Sequence, residues 1–384
     1  MYPEKGDRIE SKMDGPGRNR GESGGAPVSR REFLKQLGIG SAILGLGMYG
    51  GFEEADAKEL KGMLEDSLHE EAEAGHPAVR VEFVYAPHRT ARDMQKLRER
   101  ITEADIVIPE DIWWDQEGLK VLRDLSAGNI TPEQALRQLK ISVEGEGGRK
   151  WLETYEIIYN SHKDIEFIDV PDGHPLGRKI IDYFNTSALS YDGDFPGTLE
   201  LVKDRTRNLV DIQKEREAYM LARLKEVIKK HAVPDKQRAL NILISLGIAH
   251  TDMWHKLKSE GVDARAAFAS MPFIFDNEGE LFRRYLFGKN VDNELVARAI
   301  QERMFFRQFR WPPTEDSGKA ALFFRKVTSL FAANEIKEIF EAFKDKSFSE
   351  RSKILTDKLA AKHVRWPESE KEIDDFLGPK TAPE

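Results

Sequence analysis

The sequence predicts an α/β or α+β domain: a central mixed sheet surrounded by helices, with a helix-rich C-terminal part. Three observations carry this. VRVEFVYA (79–86), DIVIPE (105–110), IEFIDV (165–170) and LNILISL (240–246) have the length and the β-branched or alternating pattern of strands. The stretches between and after them repeat apolar residues at helical spacing, so strands and helices are interspersed and helices dominate. Hydrophobic residues make up 40% and charged residues 33% of the 384, the balance of a globular chain with a buried core.

In 79–86, Val79, Val81, Phe83 and Tyr85 share one face, and Pro87 ends the strand. Thr90 with Asp93 three residues on marks a helix start, and Met94, Leu97, Arg98 and Ile101 follow at helical spacing. The run 105–110 is apolar on both faces, as in a buried parallel strand, so 79–110 reads as strand–helix–strand. Residues 116–139 predict two helices broken at 126–129, the second opened by Thr131-Pro132-Glu133. GEGG (145–148) predicts a turn. Pro171-Asp172-Gly173 closes the strand 165–170, and 192–197 predicts a loop. A charged helix over 198–230 offers Leu201, Leu209, Ile212, Tyr219, Leu224 and Ile228 as inward positions. After the strand 240–246, a helix runs from His250 through Leu257 to a stop at Gly261. Helices are expected at 294–310, 318–345 and 350–362.

The N-terminus has its own organisation. Residues 1–28 are Gly-, Pro- and charge-rich, too poor in apolar residues to bury a core, and are expected to be disordered. In 29–57, Arg30-Arg31 precede Phe33, Leu34 and Lys35, then a Gly-rich apolar run, 37–52, shorter than the ~20 residues of a membrane span. This is the layout of a targeting peptide. SRREFLK resembles the twin-arginine (Tat) export signal at every defined position. That resemblance implies passage through the Tat translocase in folded form and a periplasmic or extracellular location. Ala55-Asp56-Ala57 offers a cleavage site, and an uncleaved signal would retain the protein at the membrane. A domain at 58–366 follows, then a flexible tail at 367–384, with no stable membrane span in the mature form.

The formal charge of −8 argues against nucleic acid or an anionic membrane as main partner. FFRQFRW (305–311) reads as a helix end that packs its rings and solvates its arginines. The chain has no cysteine, which excludes disulfides, thiolate zinc sites and cysteine nucleophiles; any metal must be held by His, Asp, Glu or water. There is no P-loop, G-x-S-x-G elbow or HExxH.

Two of the nine histidines share a setting. His88 follows the strand 79–86, His250 follows the strand 240–246, and both precede helices. Glu110 holds the equivalent place after 105–109. Ligands of open α/β sheets bind beyond the carboxyl ends of strands. Two imidazoles and a carboxylate suit a divalent metal (Zn, Mn, Fe or Co) if the strands are neighbours. Without metal, the same set makes a general base with a carboxylate orienter. Asp169, at the end of a further strand, is a lower-ranked candidate to join them. Asp252 and His255 lie off the helical face of His250 and read as solvated or packing residues. His174 reads as a surface residue. Trp113-Trp114 either wall an apolar pocket or pack in the core.

The segment ISLGIAHTDMWHKLKSEGVDARAAF resembles the second glycine-x-x-histidine motif of the TraB/Tiki superfamily, which also contains the erythromycin esterases and the haem-uptake protein ChaN. The matching residues are Gly247, His250, Leu257 and Gly261. KEREAYMLARLKEVIKK, with Glu215 and Arg216, is similar to the family's Glu-Arg helix. VYAPHRTARDMQKLRERITEADIVIPE resembles the first motif, then a helix, then a strand ending in Glu. The chain departs from the pattern at Tyr85-Ala86-Pro87-His88, where the family has Gly ahead of His. The resemblance implies a sheet of two related halves. It also implies that His88, Glu110, Arg216 and His250 converge as catalytic residues, with His88, Glu110 and His250 as metal ligands. The function it implies is metal-dependent hydrolysis of a small-molecule or peptide substrate, at an ester or peptide bond. The alternative it offers is a haem- or small-ligand-binding protein of the ChaN kind, with Tyr85 as a haem ligand.

Overall fold

The structure, a computed structural model, describes residues 79–86, 91–110, 114–142, 145–186, 193–231, 238–268, 275–309, 312–314 and 316–378. The expected export signal, His88, Thr90 and Trp113 lie outside the described residues.

The fold is mixed α/β. Five strands, β1 (Val79–Ala86), β2 (Ile106–Pro109), β3 (Asp164–Ile165), β4 (Leu240–Gly247) and β5 (Asp263–Phe268), lie in the order β3-β2-β4-β1-β5. Every pairing among them is parallel. The sheet therefore has no antiparallel strand among the described residues, where a mixed sheet was expected. The strand expected at 165–170 pairs only at Asp164–Ile165, and the chain continues beside β2 through Glu166 N–H to Val107 O at 3.2 Å.

Two βαβ units interlock. Helix α1 (Ala91–Ile101) carries β1 to β2 across β4, and the helix after β4 carries it to β5 across β1. The two crossovers run in opposite directions along the sheet. Right-handed crossovers then place their helices on opposite faces, and the packing agrees. Val84, Val107 and Leu243 bury against α1, α2 (Gln116–Ser126), α3 (Pro132–Gln138) and α4 (Gly145–Ser161). Val81, Phe83, Ile106, Ile108, Ile242 and Ile244 bury on the other face. There they meet Met220, Leu221, Leu224 and Val227 of α6 (Phe195–His231) and Met253 and Leu257 of α7 (Thr251–Ser259). Helix α5 (Pro175–Thr186) lies between α4 and α6 in sequence.

Local signals explain most helix starts. Asp115 accepts Gly118 N–H at 2.6 Å, and Thr131 with Gln134 forms a reciprocal capping box. GEGG is not a turn: α4 already begins at Gly145. Burial of Tyr155, Ile157 and Ile158 anchors that helix, and propagation carries it back through weak helix formers. Strand β5 and the helix at 277–286 were not anticipated. DARAAF lacks β-branched residues, and tertiary pairing with β1 makes it a strand.

Helix α6 is 37 residues long, about 55 Å. Its C-terminal half packs on the sheet, and its N-terminal Phe195, Leu199 and Val202 enter a second core. That core is built by α8 (Asn277–Leu286), α9 (Asn293–Phe309), α10 (Ser317–Ser329), α11 (Ala333–Ala342), α12 (Phe348–Ala361) and α13 (Glu370–Leu377). Leu201, expected to face inward, is 41% exposed because it falls off the Leu199/Val202 stripe. The single helix expected over 318–345 breaks between α10 and α11. Phe305 and Phe309 stack with Trp366 at 5.6 and 4.9 Å, as FFRQFRW led one to expect of its rings. No described helix is long and apolar enough to cross a membrane.

The stretch after Pro367 was expected to be a flexible tail, yet 370–377 is helix α13, with Ser369 accepting Glu372 N–H and Ile373 fully buried. Ile373→Ala should therefore lower stability by roughly 2–4 kcal/mol, the range for a core Ile truncation. A urea melt checks this; a loss under about 0.5 kcal/mol would mean that α13 is undocked in solution.

Candidate functional site

The parallel register sets the strand ends side by side. Ala86 lies opposite Gly247, and Pro109 opposite Ser245. The chain leaves β1 toward one face and β4 toward the other. The gap between their carboxyl ends is thus a topological switch point, where open α/β sheets place ligands. His250 closes a short 3-10 turn after β4, and Glu110 follows β2. The strand adjacency that the histidine argument required is present.

Helix α6 crosses over this end and contributes one face: Gln213, Arg216, Glu217 and Met220, spaced at three, four and seven residues. Arg216 is the hub. Its Nε donates to Asp169 Oδ1 at 2.9 Å, and its Nη2 donates to Asp169 Oδ2 and to Glu110 Oε1, the latter at 3.0 Å. Glu110 Oε2 accepts the Gly247 N–H. Asp169 is held further by Val170 N–H at 2.7 Å and by the Trp114 indole on its carbonyl at 2.6 Å. Trp114 also packs on Phe167. It serves the core and positions Asp169, rather than walling a pocket.

His250 is fully buried. Its Nε2 faces Glu110 Oε1 and its Nδ1 faces Glu217 Oε1, each at 3.6 Å. Gln213 Nε2 lies 2.9 Å from Nδ1 and 3.4 Å from Nε2, and donates to Glu217 Oε1 at 3.2 Å. A donor aligned with the Nδ1 lone pair would lie far from Nε2, so this amide sits across the ring face. Tyr85 completes the floor, its hydroxyl donating to the His250 carbonyl at 3.1 Å.

Two carboxylates, Asp169 and Glu110, thus flank one guanidinium, and a third, Glu217, lies beyond His250 with Lys256 Nζ 3.8 Å from its Oε2. Burial opposes the charge on Arg216, but Asp169 and then Glu110 override it and raise its pKa above that of a free guanidinium. Burial pushes the Glu217 carboxyl up, against the pull of His250, and Glu217 Oε2 has no hydrogen-bond partner. Burial, then the Glu217 charge, raise the Tyr85 phenol well above its ordinary value.

Glu110, Arg216 and His250 converge, Asp169 joins them, and His88 lies outside the described residues. Asp252 pairs with Lys256 at 2.6 Å, and His255 packs on Trp254. His174 Nδ1 accepts Leu176 N–H, and its ring lies against Tyr219. Glu215 of the Glu-Arg pair points outward to Lys179. Gln213 and Glu217 were missed. Their signal is the shared helical face with Arg216, hidden in a helix charged on most sides.

Of the three residues expected to hold a divalent metal, Glu110 and His250 approach within 3.6 Å and His88 lies outside the described residues. Both Glu110 oxygens are engaged, Arg216 puts its positive charge beside them, and no three described His, Asp or Glu side chains are arranged around one point. Catalytic zinc sites use three protein ligands. Comparison with protein-family models, curated proteins and solved structures found no match for this chain.

Proposed function

We propose that this chain is an exported hydrolase of ester or peptide bonds, similar to TraB/Tiki proteins, working at the switch point between β1 and β4. The observation that carries the reading is the continuous polar chain Asp169–Arg216–Glu110–His250–Glu217 at three adjacent strand ends. Arg216 is clamped through Nε and Nη2, which leaves Nη1 as a fixed donor for a substrate carboxylate or a developing oxyanion. His250 and Glu110 are the proton-handling pair for an attacking water. His88, from the neighbouring strand end, is the further base in this reading. A divalent metal enters only together with His88.

The test is a panel of p-nitrophenyl esters and acyl-dipeptides assayed with wild type, His88→Ala and His250→Ala. Loss of about 10²–10⁴ in rate in both variants is expected from removing an acid–base group. Unchanged hydrolysis in both would sink the proposal. Elemental analysis of the wild type and of the double variant decides the metal: about one equivalent present and then lost assigns it to this site.

Export rests on SRREFLK. Replacing Arg30 and Arg31 together by lysine should leave the protein in the cytoplasm, as read by cell fractionation. Undiminished export would remove the Tat assignment.

A further inference from the structure

A second buried polar cluster lies where α8, α9 and α10 meet, away from the site above. Asp276 is 2% and Glu302 5% exposed. Asp276 caps α8 by accepting Gly279 N–H at 2.7 Å, and Glu302 Oε2 accepts Asn277 N–H at 2.7 Å, so the two carboxyls share the first turn of α8. Asn277 in turn donates to Thr328 of α10 at 2.9 Å. Glu302 Oε1 is buried without a hydrogen-bond partner.

The charges do not balance. Helix α8 adds Glu278, clamped by Arg303 of α9, with Nε to Oε2 at 2.8 Å; Glu280 is taken by Arg283 and Arg284. Arg283 also lies over the Phe275 ring, and α10 contributes Arg325, near the Phe275 carbonyl. From α5, Tyr183 faces Arg303 and Glu278, and Arg205 of α6 stands near Tyr183. Helices α11 and α12 present Ile336, Ile339, Phe340, Leu355 and Leu359 to the shared core. Three carboxyls, Asp276, Glu278 and Glu302, thus meet two guanidiniums, Arg303 and Arg325. A buried carboxylate without a counter-charge is strongly disfavoured, and a proton is the smallest group that neutralises it.

We propose that a proton held between Asp276 and Glu302 latches helix α8 onto α9 and α10, and that losing it loosens the first turn of α8. Burial pushes Asp276 from 3.8 up to about 7 and, with the Asp276 charge, pushes Glu302 well above its ordinary value. An acid whose pKa rises on folding stabilises the fold fully below its unfolded value, and that stability is lost as pH rises through the folded one. The latch is therefore closed below about pH 4 and opens across about pH 4–7. Phe282 and Leu286 of α8 pack on Val210 of α6, one turn from Gln213, so loosening reaches the helix that carries Arg216 and Glu217. The proposal does not depend on the hydrolytic reading.

Amide hydrogen exchange read by mass spectrometry, on peptides covering 277–286, tests it. After correction for intrinsic rates, protection should fall roughly tenfold or more between about pH 5 and pH 8, while α11 and α12 stay constant. Glu302→Gln leaves two carboxyls, Asp276 and Glu278, with two guanidiniums and should weaken the pH dependence. Asp276→Asn keeps a capping side chain and should do the same, and it serves if Glu302→Gln does not fold. Equal protection of α8 at both pH values in the wild type, or an unchanged slope in the folded variants, overturns the latch.

Discussion

Arg216→Met should destabilise the protein by about 3–5 kcal/mol, the cost of leaving buried charge unpaired. Methionine fills similar space, so the loss is electrostatic rather than a cavity. Asp169 is buried and cannot rotate away: one oxygen is held by Val170 N–H and its carbonyl by Trp114. Glu110 is fastened likewise through the Gly247 N–H. Without the guanidinium, both carboxylates lose the positive charge that stands between them. Adding Asp169→Asn to Arg216→Met should recover part of the loss, because a neutral amide can stay buried at lower cost. Since the pair is shielded from solvent, added salt should change these values little. Urea melts at two salt concentrations measure all of this. A loss below about 1 kcal/mol would mean that the guanidinium is solvated and the hub is a surface ion pair.

How much of this site could be read from the chain depends on which physical signal each residue leaves. Glu110, His250 and His88 were found because strand ends are visible as pattern breaks, at Pro109, Gly247 and Pro87. Their adjacency was not visible: parallel pairing of β1 with β4 joins residues about 160 apart, and nothing local encodes it. Arg216 came from a resemblance, and Asp169 from its place after a strand that proved only two residues long. Glu217 was invisible because KEREAY offers acids on either side of Arg216. Only burial separates Glu217 from the exposed Glu215. The last helix was legible in retrospect: Ser369 and Glu372 form an N-terminal signal, and Ile373, Phe376 and Leu377 follow at helical spacing. The acidity of EKEIDDFL outweighed that stripe in the reading. DARAAF of β5 left no signal, because alanines pack equally well in either structure.

Glu217→Gln should raise stability while lowering hydrolysis by about 10² or more. The wild-type carboxyl is fully buried, its Oε2 lacks a hydrogen bond, and Lys256 stands 3.8 Å away at the rim. Such a group costs the fold roughly 1–3 kcal/mol of uncompensated desolvation. Glutamine keeps its volume and removes the charge. Because burial raises the Glu217 pKa, its penalty grows as pH rises above the ordinary carboxyl range, so the gain should be larger at pH 8 than at pH 5. If Glu217 only filled space, the substitution would stabilise the protein and leave hydrolysis intact. If it holds His250 from the Nδ1 side, the two readouts separate in opposite directions. Melting and rate measured on the same preparation distinguish the cases. A stability loss with unchanged rate would remove Glu217 from the site and leave His250 oriented by Gln213 and Glu110 alone.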